Sequence, residues 1–332
     1  MHHDAPGGRG LATIDREGAS DHSAVAPAIS VVVPVLNEEE SLVELHAQLT
    51  AGLAGRAYEL IFVDDGSTDG SMRALRHLWT HDNHVRVVRL RRNFGKTAAL
   101  SAGFALARGT AVVTIDADLQ DDPAEVPRLL DELENGFHLV SGWRSARRDA
   151  ISKRLPSAIF NWTVKLLTGV TLHDFNCGLK AYRCEVLNEI KLYGDLHRFI
   201  PVLAHRRGFL VGELPVNHRP RPYGHSKYGV RRLLGGFLDL LKVLFLTRYG
   251  YHPLRLFGSA GLLLLAIGIA LGIYLTVVWA GGESIGRRPL LTLCVLLVVA
   301  GLQLISTGLV GEMVQHATFS ATGEYAVAET LV

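Results

Sequence analysis

Two carboxylates one residue apart, Asp116 and Asp118, follow an apolar run at 111–115 and precede Pro123, where a helical pattern opens. A short apolar run bounded by turn residues reads as a buried strand. In an open α/β sheet, ligands bind beyond the carboxyl ends of the strands. Carboxylates in that place suit a hard divalent cation and, through it, a phosphate-bearing ligand. A D-x-D alone is short, however, and an Asp capping a helix beside a solvated neighbour looks the same. The surrounding chain has to decide.

Strand-like and helix-like patterns alternate around the pair. β-Branched residues fill 29–35, and Asn37 with Glu38, Glu39 and Glu40 follows as a helix start, since Asn caps and acids suit the positive end. Further strands are expected at 58–63, 85–90, 111–115 and 137–141. Helices marked by Leu42, Leu45 and Leu49, by Met72, Leu75 and Leu78, and by the run from Pro123 to Glu134 lie between them. Asp69, Asp121 and Asp122 are read as helix caps. Strand and helix at this spacing predict a mainly parallel, doubly wound α/β sheet. No G-x-G-x-x-G follows the first strand and no G-x-x-x-x-G-K-[ST] occurs, which disfavours dinucleotide-binding and P-loop chemistry.

The chain has 332 residues and a net charge of +2, so no general affinity for nucleic acid is expected. Residues 1–27 lack periodicity and the apolar core of a signal peptide, and read as a disordered tail. Residues 28–228 read as the α/β domain, 229–250 as amphipathic interface helices, and 251–332 as a two-span membrane domain with a short tail. The spans, about 256–280 and 289–311, are uncharged and long enough to cross a bilayer. More Lys and Arg precede the first span than occupy the link, which places the large domain on the cytoplasmic side. Cys177, Cys184 and Cys294 fit no zinc or disulfide spacing and are expected to be reduced.

Five motifs in order resemble glycosyltransferase family 2, and more narrowly the polyprenyl-phosphate glycosyltransferases of the dolichol-phosphate mannose synthase type with two C-terminal spans. They are Pro34-Val-Leu-Asn-Glu38, Val63-Asp-Asp-Gly-Ser-Thr-Asp-Gly70, Asp116-Ala-Asp-Leu-Gln-Asp-Asp-Pro123, Gly142-Trp-Arg144 and Arg221-Pro-Tyr-Gly-His-Ser-Lys227. The resemblance runs from about residue 29 to 311. It implies a GT-A fold, a UDP- or GDP-linked sugar donor, Mg2+ or Mn2+, a polyprenyl phosphate acceptor at the bilayer, and a homo-oligomer, since relatives with two spans form tetramers. Carried over by position, Pro34, Leu36, Glu38, Val63 and Asp65 hold the base and ribose. Asp116, Ala117, Asp118 and Gln120 hold diphosphate and metal, with Asp118 the first-choice ligand. Arg144, Arg221, Ser226 and Lys227 meet the acceptor phosphate. Leu36 stands where eukaryotic members usually have Tyr, which leaves the base open.

The chemistry implied is inverting transfer of a hexose to polyprenyl phosphate at the cytoplasmic face of the inner membrane. UDP-glucose or a UDP-N-acetylhexosamine is the first expectation for the donor and GDP-mannose the second. A phosphate monoester is already a nucleophile near pH 7, so no enzyme base is required. Two other readings stand beside this one: a processive polysaccharide synthase, although no Q-x-x-R-W occurs, and a non-catalytic membrane module that binds nucleotide sugars.

Overall fold

The computed structural model describes residues 27–144, 164–165, 168–190, 192, 194, 196–219, 253–284 and 289–319. Arg221, Ser226, Lys227, the N-terminal tail and the expected amphipathic helices lie outside the described residues.

Seven strands form one sheet in the order β3-β2-β1-β4-β6-β5-β7. They are β1 (Ile29–Val35), β2 (Tyr58–Asp64), β3 (Val85–Arg89), β4 (Ala111–Thr114), β5 (Leu139–Trp143), β6 (Lys180–Arg183) and β7 (Val211–Pro215). β1 pairs in parallel with β2 and β4, as do β2 with β3 and β5 with β7. β6 runs antiparallel between β4 and β5. This insertion is not visible as a pattern. It follows from where the chain re-enters the sheet, at the carboxyl ends of β4 and β5.

Both faces of the sheet are covered, which is why the central strands are apolar on both sides rather than alternating. On one face, Val31, Val33 and Val35 of β1 pack with leucines of α1 (Leu42–Gly52), α2 (Ser71–His81) and α4 (Val126–Glu134). On the other, Val32, Ile61 and Val63 pack with Ala99 and Leu100 of α3 (Lys96–Phe104), Val186 of α5 (Cys184–Glu189) and Ile200 and Ala204 of α6 (Ile200–Arg206). Leu42, Leu45 and Leu49 are fully buried, as their helical spacing requires. Truncating one of them to Ala would cost about 2–5 kcal/mol.

β5 begins two residues later than expected. Gly136 ends α4 with φ 106°, and Phe137 still belongs to that turn, its N–H reaching Glu132 O at 3.4 Å. The three cysteines are free, and Cys177 and Cys294 are buried.

Two long apolar helices, α7 (Pro253–Ala280) and α8 (Pro289–Phe319), form an antiparallel pair of spanning length. Glycines set their approach: a Cβ at Gly261 would lie 2.7 Å from Gly301 O, and one at Gly301 would lie 2.8 Å from Gly261 O. Such small-residue contacts let membrane helices pack closely.

Candidate active site

The loops that leave β1, β2, β3 and β4 meet at one end of the sheet. Asn37 adopts φ 54°, and its side-chain oxygen accepts the Thr68 N–H at 2.8 Å. Its own N–H donates to Ser67 Oγ at 2.9 Å. Asn37 therefore ties the β1 loop to the β2 loop and does not cap α1, which starts after Ser41. The side chain is consumed in a left-handed turn five residues before the helix. Glu38 N–H donates to Ser71 Oγ, and Asp69 Oδ1 accepts the Ser71 N–H at 2.9 Å, the capping role expected of it.

Pro34 and Val63 are partners across β1 and β2. Pro34, Leu36 and Glu38 are partly exposed at the strand end. Val63 is fully buried against α3, so only its backbone faces the loops. Asp65 is buried, and its two oxygens accept the Phe94 N–H at 2.7 Å and the Gly95 N–H at 2.9 Å. It grips the β3–α3 loop. Gly66, at φ 74°, allows that loop to come close, since a Cβ there would sit 2.5 Å from the Arg92 carbonyl carbon. The loop delivers Lys96, whose Nζ donates to Asp116 Oδ1.

Asp116 lies just beyond β4. Burial alone would raise its pKa, but Lys96, through charge and hydrogen bond, holds it below the ordinary carboxylate range, with Lys180 and His197 assisting. Ala117 is buried and offers only backbone. Leu119 is one of two non-glycine residues with positive φ (58°) among the described residues, the other being Asn37. Strained backbone of this kind costs on the order of 1–3 kcal/mol and clusters at functional loops. Asp118 Oδ1 accepts the Gln120 N–H at 3.2 Å.

Asp122 caps the following turn, accepting the Ala124 N–H, as expected. Asp121 does not: it is buried and pairs across an isolated bridge with His218, their side chains 3.4 Å apart. Arg219 reinforces this contact, donating its N–H to Gln120 O at 2.7 Å and its guanidinium to Asp122 at 2.6 Å. The segment preceding Arg221 is thus anchored on the D-x-D loop.

The donor set of Asp116, Asp118 and Gln120 is all oxygen, which fits Mg2+ or Mn2+. Among the described residues no three His, Cys, Asp or Glu side chains converge to hold a metal by themselves. The arrangement suits a cation that shares its shell with diphosphate oxygens rather than an all-protein cage.

Arg144 extends from β5, next strand but one. Its Nε and Nη2 grip Asp174 bidentately at 2.7 and 3.1 Å, with Asp174 buried. Burial works against the guanidinium's charge, but Asp174 more than restores it. The pair makes Arg144 a braced cation, not a loose surface one. On the α3 face, His197 Nδ1 and Thr97 Oγ1 are 2.7 Å apart. Burial, with Lys96, Arg198 and Lys180 nearby, pushes the His197 pKa down to about 2, so its ring is neutral. Lys180 opens β6 buried beneath the site, donates to Cys177 O, and is pulled below its usual pKa first by burial.

The structure thus gathers Pro34, Leu36, Glu38, Asp65, Asp116, Asp118, Gln120 and Arg144 at one sheet end. Sequence reasoning did not assign roles to Lys96, Asp174, Lys180 or His197. Lys96 is one cation of the basic stretch Arg91-Arg-Asn-Phe-Gly-Lys96, and Lys180, with Arg183 three residues on, stands in no pattern that signals a site.

Comparison with known proteins agrees with this geometry. Residues 30–191 match the glycosyl transferase family 2 model, and 252–316 match the GtrB C-terminal hairpin. The chain is 40% identical over 294 residues to dodecaprenyl-phosphate galacturonate synthase of Rhizobium johnstonii, covering 86% of this chain and 87% of that one. It is 38% identical over 289 residues to undecaprenyl-phosphate 4-deoxy-4-formamido-L-arabinose transferase of Pseudomonas fluorescens, covering 86% and 83%. The fold resembles that of glucosyl-3-phosphoglycerate synthase from Mycobacterium tuberculosis, solved with Mn2+, UDP and glucosyl-3-phosphoglycerate. The TM-score is 0.54 at 22% identity, over 67% of this chain and 80% of that one. A GT-A sheet carrying the D-x-D loop, followed by an apolar helical hairpin, and relatives alike over most of their length, place the chain in glycosyltransferase family 2 as an enzyme of the polyprenyl-phosphate type.

Proposed function

We propose that the protein transfers a sugar from a nucleotide-diphosphate donor to polyprenyl phosphate, with inversion, at the cytoplasmic face of the inner membrane. The observation that carries this reading is the juxtaposition of the Asp116–Asp118 loop with Lys96 on one side and the Arg219 anchor on the other. The donor's diphosphate then lies over β4, and Arg219, two residues before Arg221 in the sequence, sits beside it.

A phosphate oxygen of the acceptor attacks the anomeric carbon. The new C–O bond forms as the bond to the diphosphate breaks, and the electron pair leaves with the nucleotide. Asp118, Asp116 and Gln120 would hold Mg2+ or Mn2+, which supplies charge to the leaving diphosphate. Lys96 adds positive charge on the same side. Arg144, kept in place by Asp174, offers its cation to the incoming phosphate, with Arg221 and Lys227. No proton has to be removed from a phosphate that is largely dianionic near pH 7.

The donor panel starts with UDP-glucose and UDP-N-acetylhexosamines, then GDP-mannose. The relatives named for galacturonate and formamido-arabinose add a uronic acid and an amino-pentose. The hairpin anchors the enzyme where the polyprenyl head group lies, and a homo-oligomer is part of the proposal. The test is purified protein in detergent with polyprenyl phosphate, Mg2+ or Mn2+ and radiolabelled donors, assayed for label in the organic phase. Transfer from one donor, lost with EDTA and in Asp118→Ala, is expected. Label in a water-soluble polymer would instead indicate a processive synthase. Nucleotide binding without transfer from any donor would indicate a binding module.

A further inference from the structure

Lys180 is the buried charge that the reaction scheme leaves unused. It lies on β6, the antiparallel strand between β4, which leads to Asp116, and β5, which leads to Arg144. Its Cα is opposite Thr114 on one side and Ser141 on the other. It is only 4% exposed. The one hydrogen bond its ammonium makes among the described residues is to a neutral group, the Cys177 carbonyl.

Its charged neighbours are otherwise matched. Lys96 faces Asp116, and Arg144 faces Asp174. Cys177 does not supply a counter-ion, since burial pushes its thiol pKa far up and keeps it protonated. A buried ammonium whose nearby anions, Asp116 and Asp174, are each hydrogen-bonded to another cation is expensive to fold around, and an apolar side chain of similar shape at such a place is often neutral or stabilising. Stability therefore does not explain this lysine.

Its location does. The carbonyl it holds belongs to the turn from Asp174 to Lys180, which carries both halves of the site. Asp174 braces Arg144. Gly178 forms the floor beneath Asp116, where a Cβ would lie 2.5 Å from Oδ2. Thr114 Oγ1 fixes that floor by donating to Gly178 O at 2.9 Å. The reaction brings two anions, a diphosphate and a phosphate, to the two ends of this turn.

We infer that Lys180 is a positioning residue for sugar transfer: through the Cys177 carbonyl and its own charge it holds Asp116 and the Arg144–Asp174 pair in register while two anionic reactants meet above it. It touches neither reactant in this scheme and acts through the turn it closes. The inference rests on the transfer reaction proposed above.

The test compares Lys180→Met, Lys180→Gln and Lys180→Arg in the full-length, detergent-purified protein, with thermal melting, nucleoside-diphosphate affinity and transfer kinetics measured on each. The expected result is a Lys180→Met melting temperature equal to or above wild type. Its nucleoside-diphosphate affinity should stay within about threefold, and kcat should fall about 10- to 100-fold, with Lys180→Arg recovering most of it and Lys180→Gln not. A fall in melting temperature for both Met and Gln variants would make the lysine structural and overturn the inference. So would unchanged kcat in Lys180→Met, or an Arg variant as slow as the Met variant. A wild-type protein that transfers no sugar to polyprenyl phosphate would overturn the reaction instead, and the melting comparison would still decide whether Lys180 serves the fold.

Discussion

Asp65→Asn is the perturbation that best separates two ways the site could work. By family position Asp65 reads the base or ribose, yet in the structure both its oxygens are on the Phe94 and Gly95 N–H groups at 2.7 and 2.9 Å. That grip presents Lys96 to Asp116. Asn keeps one acceptor and turns an N–H2 toward the other backbone donor. One hydrogen bond to a charged acceptor is worth about 1.5–3 kcal/mol, so the clamp should weaken by about 2 kcal/mol, or roughly thirtyfold at 1.4 kcal/mol per factor of ten. If Asp65 acts through Lys96, kcat/KM falls by about that factor for every donor alike. The same substitution in a Lys96→Met background then costs little more, because neighbours in one network are not additive. The assay is organic-phase label from UDP- and GDP-linked donors across the four combinations. A change in the ratio of UDP to GDP donors, or a full thirtyfold loss in the Lys96→Met background, would refute the clamp and return Asp65 to the base.

Arg144→Lys keeps the charge but loses the two-pronged grip on Asp174. Transfer should fall at least about tenfold, with acceptor KM rising more than donor KM. Asp174→Asn strands the arginine and should destabilise the domain by about 3–5 kcal/mol, read as a lower melting temperature. His197 is neutral in the fold, its pKa at about 2, but takes up a proton near pH 6.5 when unfolded. Stability should therefore fall as pH drops below about 6.5, by up to about 1.4 kcal/mol per unit from this group, and melting scans of His197→Gln should show a shallower slope. Gly301→Leu puts side-chain atoms where Gly261 O now lies, so it should splay α7 from α8 and lower detergent stability, leaving kcat per folded molecule unchanged.

The parts of this protein legible in its sequence are those written in local periods. Leu42, Leu45 and Leu49 had to share a buried face. The valines of β1 had to lie in a strand covered on both sides, and two long uncharged runs had to be long apolar helices. The D-x-D loop was legible only with its surroundings, because two carboxylates at a strand end also suit a helix cap and the alternating elements and four further motifs in order decided between the two. Local rules failed where a side chain was claimed by something distant. Asn37, a good cap by type, is spent on Thr68 N–H in the next loop, and Asp121 is drawn to His218, almost a hundred residues on. The larger omission has one cause. β6 enters the sheet from the site end and so runs against its neighbours, which drops Asp174, Gly178 and Lys180 between β4 and β5. No period in the sequence records that direction. The residues it brings in are also those whose types read as ordinary: a turn aspartate, a glycine and a lysine. Their value comes from the junction of β4, β6 and β5, where Asp174 grips Arg144, Gly178 yields space to Asp116, and Lys180 holds the Cys177 carbonyl of the turn between them.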